Sequence, residues 1–410
     1  MKNVMGSFLK NKGWESWFEG FLYLFAVSLP IGHGIDAVMM APLALCYLFV
    51  LTWNEKWENL KANRTSLLLL FSIPLLLFAG LFYSNNVDVA LGRIERSLPL
   101  LILPIIIFSL PKRLVNVKKI LYALGIGLLV VMLVSWGAII ADILSKASPM
   151  KQAKYFFEWI YTDRNLLRTM DIHPGYFVLF FVLFLTTIMD SKLFKGLREK
   201  RIFYYILLLL ALLFLVETSS RVGFFCILLI MAIHFFRDWK GKRNWGYLFV
   251  FCGLFLAMFK FDYLLSKFRK LIDLEGNITF ERYFRWKEIG KVFLDNGNIL
   301  IGNGSGDIYE IYLQAYANGG FDQALTENYN AHNQYLEFLI GNGLLGLTVY
   351  LLVLVHFAIK TRLRDSALAF FILIVIFSFT ESVLVRGKGV MFFAFFYPLF
   401  IKYYTNGNNE

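Results

Sequence analysis

Residues 338–357 read FLIGNGLLGLTVYLLVLVHF, a stretch without Asp, Glu, Lys or Arg, and Asn330-Ala331-His332-Asn333-Gln334-Tyr335-Leu336-Glu337 stands directly before it. About 20 apolar residues in a helix cross the roughly 30 Å hydrocarbon core of a bilayer, so the run reads as a membrane span with a polar rim at its start. Such runs recur from end to end of the 410 residues, of which 58% are hydrophobic, 18% aromatic and only 17% charged, with a mean hydropathy of +0.60. Soluble domains carry far more charge and far fewer apolar residues. A membrane β-barrel is excluded as well, because its strands are short segments of alternating polarity. The fold class is therefore an all-α integral membrane protein.

Reading outward, about 12 transmembrane helices are expected, near 17–34, 36–53, 66–83, 97–110, 119–144, 172–190, 202–217, 221–236, 245–261, 335–358, 366–385 and 389–404. Three blocks follow: residues 1–262 with spans one to nine, a large, partly helical loop over 263–334, and residues 335–410 with the last three spans and a short tail. The first span reads as an uncleaved anchor, since no small-residue cleavage site follows it. Cys46, Cys226 and Cys252 all fall inside expected spans, where a thiol acts as a small apolar group, so no disulfide framework is expected.

Charge sets the orientation. With both termini in the cytoplasm, 23 of the 41 Lys and Arg lie on the cytoplasmic side, against 10 in the short outer segments. Long loops vote weakly in the positive-inside rule, which leaves the segment between spans nine and ten on the periplasmic side. The formal net charge of +12 is spread over short cytoplasmic loops and reports topology; no nucleic-acid partner is expected.

Several arginines then stand against the bias, on the outer face: Arg93 and Arg96 before the fourth span, Arg221 in Glu217-Thr218-Ser219-Ser220-Arg221-Val222-Gly223, and Arg282 and Arg285 in the large loop. Guanidinium is a permanently charged fork that binds phosphate oxygens in pairs. Within the loop, Phe261, Leu264, Leu265, Phe268, Leu271 and Ile272 recur at helical spacing among Lys267, Arg269 and Lys270, as in an amphipathic helix lying on the outer leaflet. A second helix is expected to carry Arg282, Trp286, Ile289 and Phe293. Gly302, Gly304 and Gly306 alternate after it, a pattern that suits either a tight structural turn or close backbone approach to a ligand. His332 closes the loop. An isolated histidine is more often structural, but imidazole at the rim of a span, among outer arginines, is placed to move a proton near neutral pH.

Four segments in order resemble the O-antigen ligase and polymerase superfamily of multi-span, GT-C-like glycosyltransferases. They are Glu95-Arg96-Ser97-Leu98-Pro99; Thr218-Ser219-Ser220-Arg221-Val222-Gly223; Arg282 four before Trp286 with the alternating glycines after it; and His332-Asn333-x-x-Leu336-Glu337 followed by Gly341-x-Gly343-x-x-Gly346, with the likeness strongest over 210–350. The resemblance implies an enzyme of the bacterial inner membrane that takes a glycan from an undecaprenyl-diphosphate carrier on the periplasmic face and joins it to an acceptor sugar, the lipid A core for a ligase. It implies no cofactor, metal or nucleotide sugar. By the same resemblance, His332 is the base, Arg221 and Arg282 are catalytic, and Arg96, Arg285, Gly302, Gly304 and Asn333 bind diphosphate or glycan. Arg285 competes with Arg282, because the register rests on spacing to Trp286 alone.

Other readings stay open from the sequence. A polymerase would pass the glycan to a carrier-linked repeat, and attachment to a protein or another envelope polymer uses the same donor. A transporter of lipid-linked or anionic solutes would show repeated halves, which the sequence lacks, although Asp142, Glu217 and Glu381 lie in or near spans. A metal-dependent glycosyltransferase has only His33 and Asp36 as ligands in the first outer loop, too few for a site.

Overall fold

A computed structural model describes residues 2–146, 156, 158–190, 194–237, 252–253 and 281–405. The expected ninth span, 245–261, and the amphipathic helix from Phe261 to Ile272 lie outside the described residues, save Cys252 and Gly253. Helices follow one another with no strand among the described residues: α1 (Lys2–Ser28), α2 (Ile35–Phe49), α3 (Trp53–Ala62), α4 (Arg64–Leu81), α5 (Val87–Ser97), α6 (Pro99–Ser109), α7 (Val117–Lys146), α8 (Pro174–Asp190), α9 (Lys195–Glu199), α10 (Arg201–Glu217), α11 (Arg221–Arg237), α12 (Glu281–Asn296), α13 (Ile308–Gly319), α14 (Asp322–Thr326), α15 (Gln334–Thr361), α16 (Asp365–Thr380) and α17 (Gly387–Thr405).

The all-helical, apolar character agrees with the sequence. By length and composition, three described stretches can cross a membrane, Arg64–Leu81, Lys112–Lys146 and Gln334–Thr361, or up to four if Ile35–Phe49 and Trp53–Ala62 form one broken span. Pro174–Met189, Ile202–Glu217 and Asp365–Thr380 are shorter apolar helices. The expected fourth span resolves into the 11-residue α6, opened by Pro99 in its first turn. At 1.5 Å per residue it measures about 16 Å, half the core of a bilayer. Residues between the expected second and third spans fold as α3, with Trp53 and Trp57 exposed on it.

The chain gathers into two compact units, each drawn from separated stretches: residues 1–52, 112–270 and 364–373 in one, and 53–111, 271–363 and 374–410 in the other. In the first, α7 lies close against α1, where a Cβ on Gly127 would stand 2.0 Å from the carbonyl oxygen of Val27. The Glu217 carboxylate is buried at the end of α10 and accepts from Trp136 Nε1 at 2.5 Å. Arg113 meets Glu15 through both terminal nitrogens, at 2.6 and 2.7 Å.

In the second unit α17 is buried from Gly389 to Lys402 and packs along α6. The Lys402 ammonium turns to the last carbonyls of α6, donating to Ile107 O at 2.7 Å and to Leu110 O. These oxygens have no partner inside the helix and carry its negative pole, so the cation caps them. Next to this pair, α4 packs on α15. α15 breaks at Gly343, whose φ of 62° and ψ of −160° lie outside the helical region. A side chain there would be strained, and a Cβ would stand 2.3 Å from the backbone of Leu300.

α5 supplies a second lock. Its amphipathic spacing buries Ala90, Arg93 and Ser97, and Asn86 caps it by accepting from Val89 N at 3.2 Å. Arg93 Nη2 donates to Glu337 Oε2 at 2.5 Å, with both side chains almost wholly buried, and Ser382 Oγ donates to the other oxygen of Glu337 at 3.0 Å. Burial opposes the Arg93 charge, and the carboxylate beside it more than offsets that, so its pKa rises above the ordinary value. A cavity of about 20 Å³, room for one water, lies against the pair.

Two stability outcomes follow, both read by thermal unfolding of the protein in lipid nanodiscs. Gly343→Ala lowers stability by more than about 1 kcal/mol. Gly290→Ala, in open space on α12, leaves stability unchanged or raises it by up to about 1 kcal/mol. Equal effects at the two sites would contradict the break described for α15. Arg93→Met or Glu337→Leu alone costs about 3–5 kcal/mol, because each strands a buried charge, whereas the double variant restores much of that loss. Simple additivity of the two losses would show that the side chains do not interact.

Candidate functional site

The glycines expected near a ligand are placed first, because they shape the floor of the second unit. Gly302 and Gly304 take φ of 75° and 90°, and the close approach they permit is to protein. A Cβ on Gly304 would meet Ser84 Oγ at 2.4 Å, and one on Gly302 would meet the Asn342 amide nitrogen at 2.5 Å. Asp307, just beyond them, accepts from the amides of Asn85 and Asn86 at 2.7 and 2.8 Å and so anchors the turn into α5.

α12 confirms the expected helix through Arg282 and Trp286. Its buried Ile289, Val292 and Phe293 pack with Ile311, Tyr312 and Ala315 of α13 into a small apolar core, which fixes the direction of the polar groups along its first turns. Trp286 Nε1 donates to Ala331 O at 2.7 Å, and Tyr316 Oη donates to Asn330 O at 3.1 Å. These two bonds hold the strand of chain that enters His332.

His332 itself has a φ of 47°, a left-handed conformation that L-residues adopt at a cost of about 1–2 kcal/mol. Asn330 Oδ1 accepts from its backbone amide at 3.0 Å. Asn333 follows as the N-cap of α15, its Oδ1 accepting from Tyr335 N and Leu336 N at 3.0 and 3.1 Å. Its side-chain oxygen thus serves the helix start. The next residue, Gln334, accepts through Oε1 from Leu384 N at 2.6 Å, and Glu337, a turn on, holds Ser382, so the first turn of α15 is fastened to segment 381–385 from two sides.

That fastening brings in the residue the sequence did not single out for the site. Glu381 Oε2 stands 3.1 Å from His332 Nδ1, and Arg282 Nη2 stands 3.3 Å from Glu381 Oε1. Arg282 Nη1 also donates to Thr380 O. The His332 and Glu381 side chains keep 22% and 14% of their surface exposed, so the group is sheltered and still reachable. A carboxylate on Nδ1 fixes that nitrogen as the donor and leaves Nε2 with the basic lone pair. Glu381 and His332 are 49 residues apart, and no local spacing links them. The only signal was an acid closing an apolar run in Phe379-Thr380-Glu381-Ser382.

Arg285 lies on the same helix with a different environment. It is buried, its guanidinium carbon is 5.4 Å from the centre of the Tyr329 ring, and the Tyr329 ring meets the His332 ring edge-on at 5.7 Å. Glu281 Oε1 is 3.7 Å from Arg285 Nε, while Nε and Nη1 have no hydrogen-bond partner among the described residues. Tyr329 is therefore wedged between a guanidinium and the imidazole.

Of the residues expected from sequence, Arg282, Arg285, His332 and Asn333 come together in the second unit. Arg96 is exposed on α5, where its neighbour Arg93 takes the buried position. Arg221 belongs to the first unit, half-buried at the start of α11; the turn before it includes Ser219 at a φ of 50° and Ser220, whose Oγ accepts from Gly223 N at 3.2 Å. His33 Nε2 is 3.4 Å from Thr169 O, and Asp36 is buried at the start of α2. Among the described residues no three or more His, Cys, Asp or Glu side chains group as metal ligands.

No curated protein matches the chain. A family comparison does find a match: residues 206–351, which include Arg221, Arg282, Arg285 and His332, fit the family described as O-antigen ligase. The match over residues 206–351 supports the O-antigen ligase superfamily.

Proposed function

We propose that the protein is an O-antigen ligase-type inverting glycosyltransferase of the bacterial inner membrane. It moves a glycan from an undecaprenyl-diphosphate carrier to a sugar of the lipid A core at the periplasmic face. The family match supports a membrane glycosyltransferase of the ligase and polymerase group. The observation that carries the finer reading is the His332–Glu381–Arg282 arrangement at the entry to α15, with the Arg285 guanidinium one ring away.

In this reading the acceptor hydroxyl attacks the anomeric carbon from the face opposite the carrier, and the bond from that carbon to the phosphate oxygen breaks. The hydroxyl proton passes to His332 Nε2, and the electron pair leaves with the carrier diphosphate. Glu381 holds the imidazole by Nδ1 and favours the imidazolium that forms, while Arg282 keeps the carboxylate aimed. The nitrogens of Arg285 that have no hydrogen-bond partner among the described residues supply donors for phosphate oxygens. Fixed positive charge at a leaving diphosphate stabilises the transition state more than the ground state, which removes the need for a metal.

The test is reconstitution with an undecaprenyl-diphosphate glycan and two acceptors, lipid A core and a carrier-linked repeat. Transfer to lipid A core is expected, and it survives EDTA. His332→Ala lowers the rate by about 10²- to 10⁴-fold. Glu381→Gln lowers kcat by about 10²-fold with donor KM little changed, as for a misaimed base, and Glu381→Asp recovers part of it. Arg285→Ala lowers kcat/KM by about 10²-fold through the donor. Folded variants of His332 and Glu381 that transfer glycan at the normal rate would end this assignment, and transfer only to the carrier-linked repeat would make the protein a polymerase.

A further inference from the structure

The segment Asn298–Gly306 runs alongside two helices that are long and apolar enough to cross a membrane, α4 and α15. Its amides from Leu300 to Gly306, and its carbonyls from Asn298 to Ile301, are bonded within the protein. Asn298 Oδ1 accepts from Leu300 N and Ile301 N at 3.1 and 3.2 Å, and Asn298 O accepts from Gly302 N at 2.7 Å. Asn303 N and Gly304 N donate to Ile340 O and Gly341 O at 2.8 and 2.9 Å, and Ser305 N donates to Gly80 O at 3.4 Å. Gly306 N donates to Ser84 Oγ at 2.9 Å. The carbonyls at the tip are used too. Ile299 O and Leu300 O accept from Leu344 N and Leu345 N at 2.8 and 3.2 Å, and Ile301 O accepts from Tyr83 Oη at 2.8 Å.

The side chains point the other way. Ile299, Leu300 and Ile301 are 45%, 68% and 42% exposed, continuous with exposed Leu344 and Leu345 of α15 and with Phe82 at the end of α4. Water would tolerate open backbone groups and penalise three exposed aliphatic side chains in a row; lipid does the reverse. A non-helical segment whose three tip carbonyls and the amides of Leu300 and Ile301 are bonded, with its apolar side chains outward, meets the second requirement.

We infer that Ile299-Leu300-Ile301 is a wedge inserted into the bilayer, in the leaflet where α4 ends, and that its partner is the acyl chains. It continues the lipid-facing surface of α4 and α15 across a segment that belongs to the large loop. The wedge also closes the break in α15, because the amides freed at Gly343 bond to its carbonyls.

The experiment uses the full chain with Cys46, Cys226 and Cys252 replaced by Ser, in phosphatidylcholine and phosphatidylglycerol nanodiscs. A nitroxide is placed at Leu300→Cys, and separately at Ile299→Cys so that the result does not rest on one variant. Its collision rates with oxygen and with a water-soluble nickel chelate are compared with labels at Leu352→Cys, on the exposed face of α15, and Asn328→Cys, exposed in the loop. The oxygen-to-nickel ratio at the wedge is expected to match that at position 352 and to exceed that at 328 several-fold. A ratio like that at 328 would overturn the inference, as would low collision with both reagents, which marks a surface covered by a second copy of the chain.

Discussion

Backbone groups in an apolar medium must find partners within the protein, and the second unit is arranged around one place where a helix fails to provide them. At Gly343 α15 leaves the helical conformation, so amides on one side and carbonyls on the other lose their usual partners. Residues 299–304 take up both sets by exchanging four backbone hydrogen bonds with 340–345. A loop remote in sequence thus becomes part of the helix wall, and the glycines make that contact close enough.

The same region sets the direction of the candidate site. With α15 pinned in its middle, its first turn presents Gln334 and Glu337 to segment 381–385, and Arg93 from α5 neutralises Glu337 behind them. Glu381 begins that segment, so its carboxylate reaches His332 from a fixed direction. The left-handed backbone at His332 is held by neighbours on both sides, Trp286 on Ala331 and the Asn333 cap. Strain kept in place by surrounding bonds is a common property of residues that must point one way.

Much of this was legible in the residues. Uninterrupted apolar runs announce helices in lipid, because no other pattern hides the backbone so cheaply, and the four-residue spacing from Arg282 to Trp286 announced α12. His332 stood out by its place at the rim of a span. The partners of these groups were not legible, because they come from other spans: Glu381 lies 49 residues from His332 and Glu337 lies 244 from Arg93. Nothing in a local pattern tells which of two arginines three residues apart will be buried, as Arg93 is and Arg96 is not. The alternating glycines suited a ligand turn and a packing turn equally, and only the neighbours at 80–86 and 340–342 distinguish them.

The buried course of α17 bears on how the chain is made. Residues 53–111 leave the ribosome well before α17, yet the surface of α6 that α17 covers, and the carbonyls that Lys402 caps, wait for residues 389–402. Until then the early helices stand in the membrane with an uncovered flank and uncapped polar ends. This unit is therefore closed only once α17 has been made, long after α6, and α17 acts as its keystone.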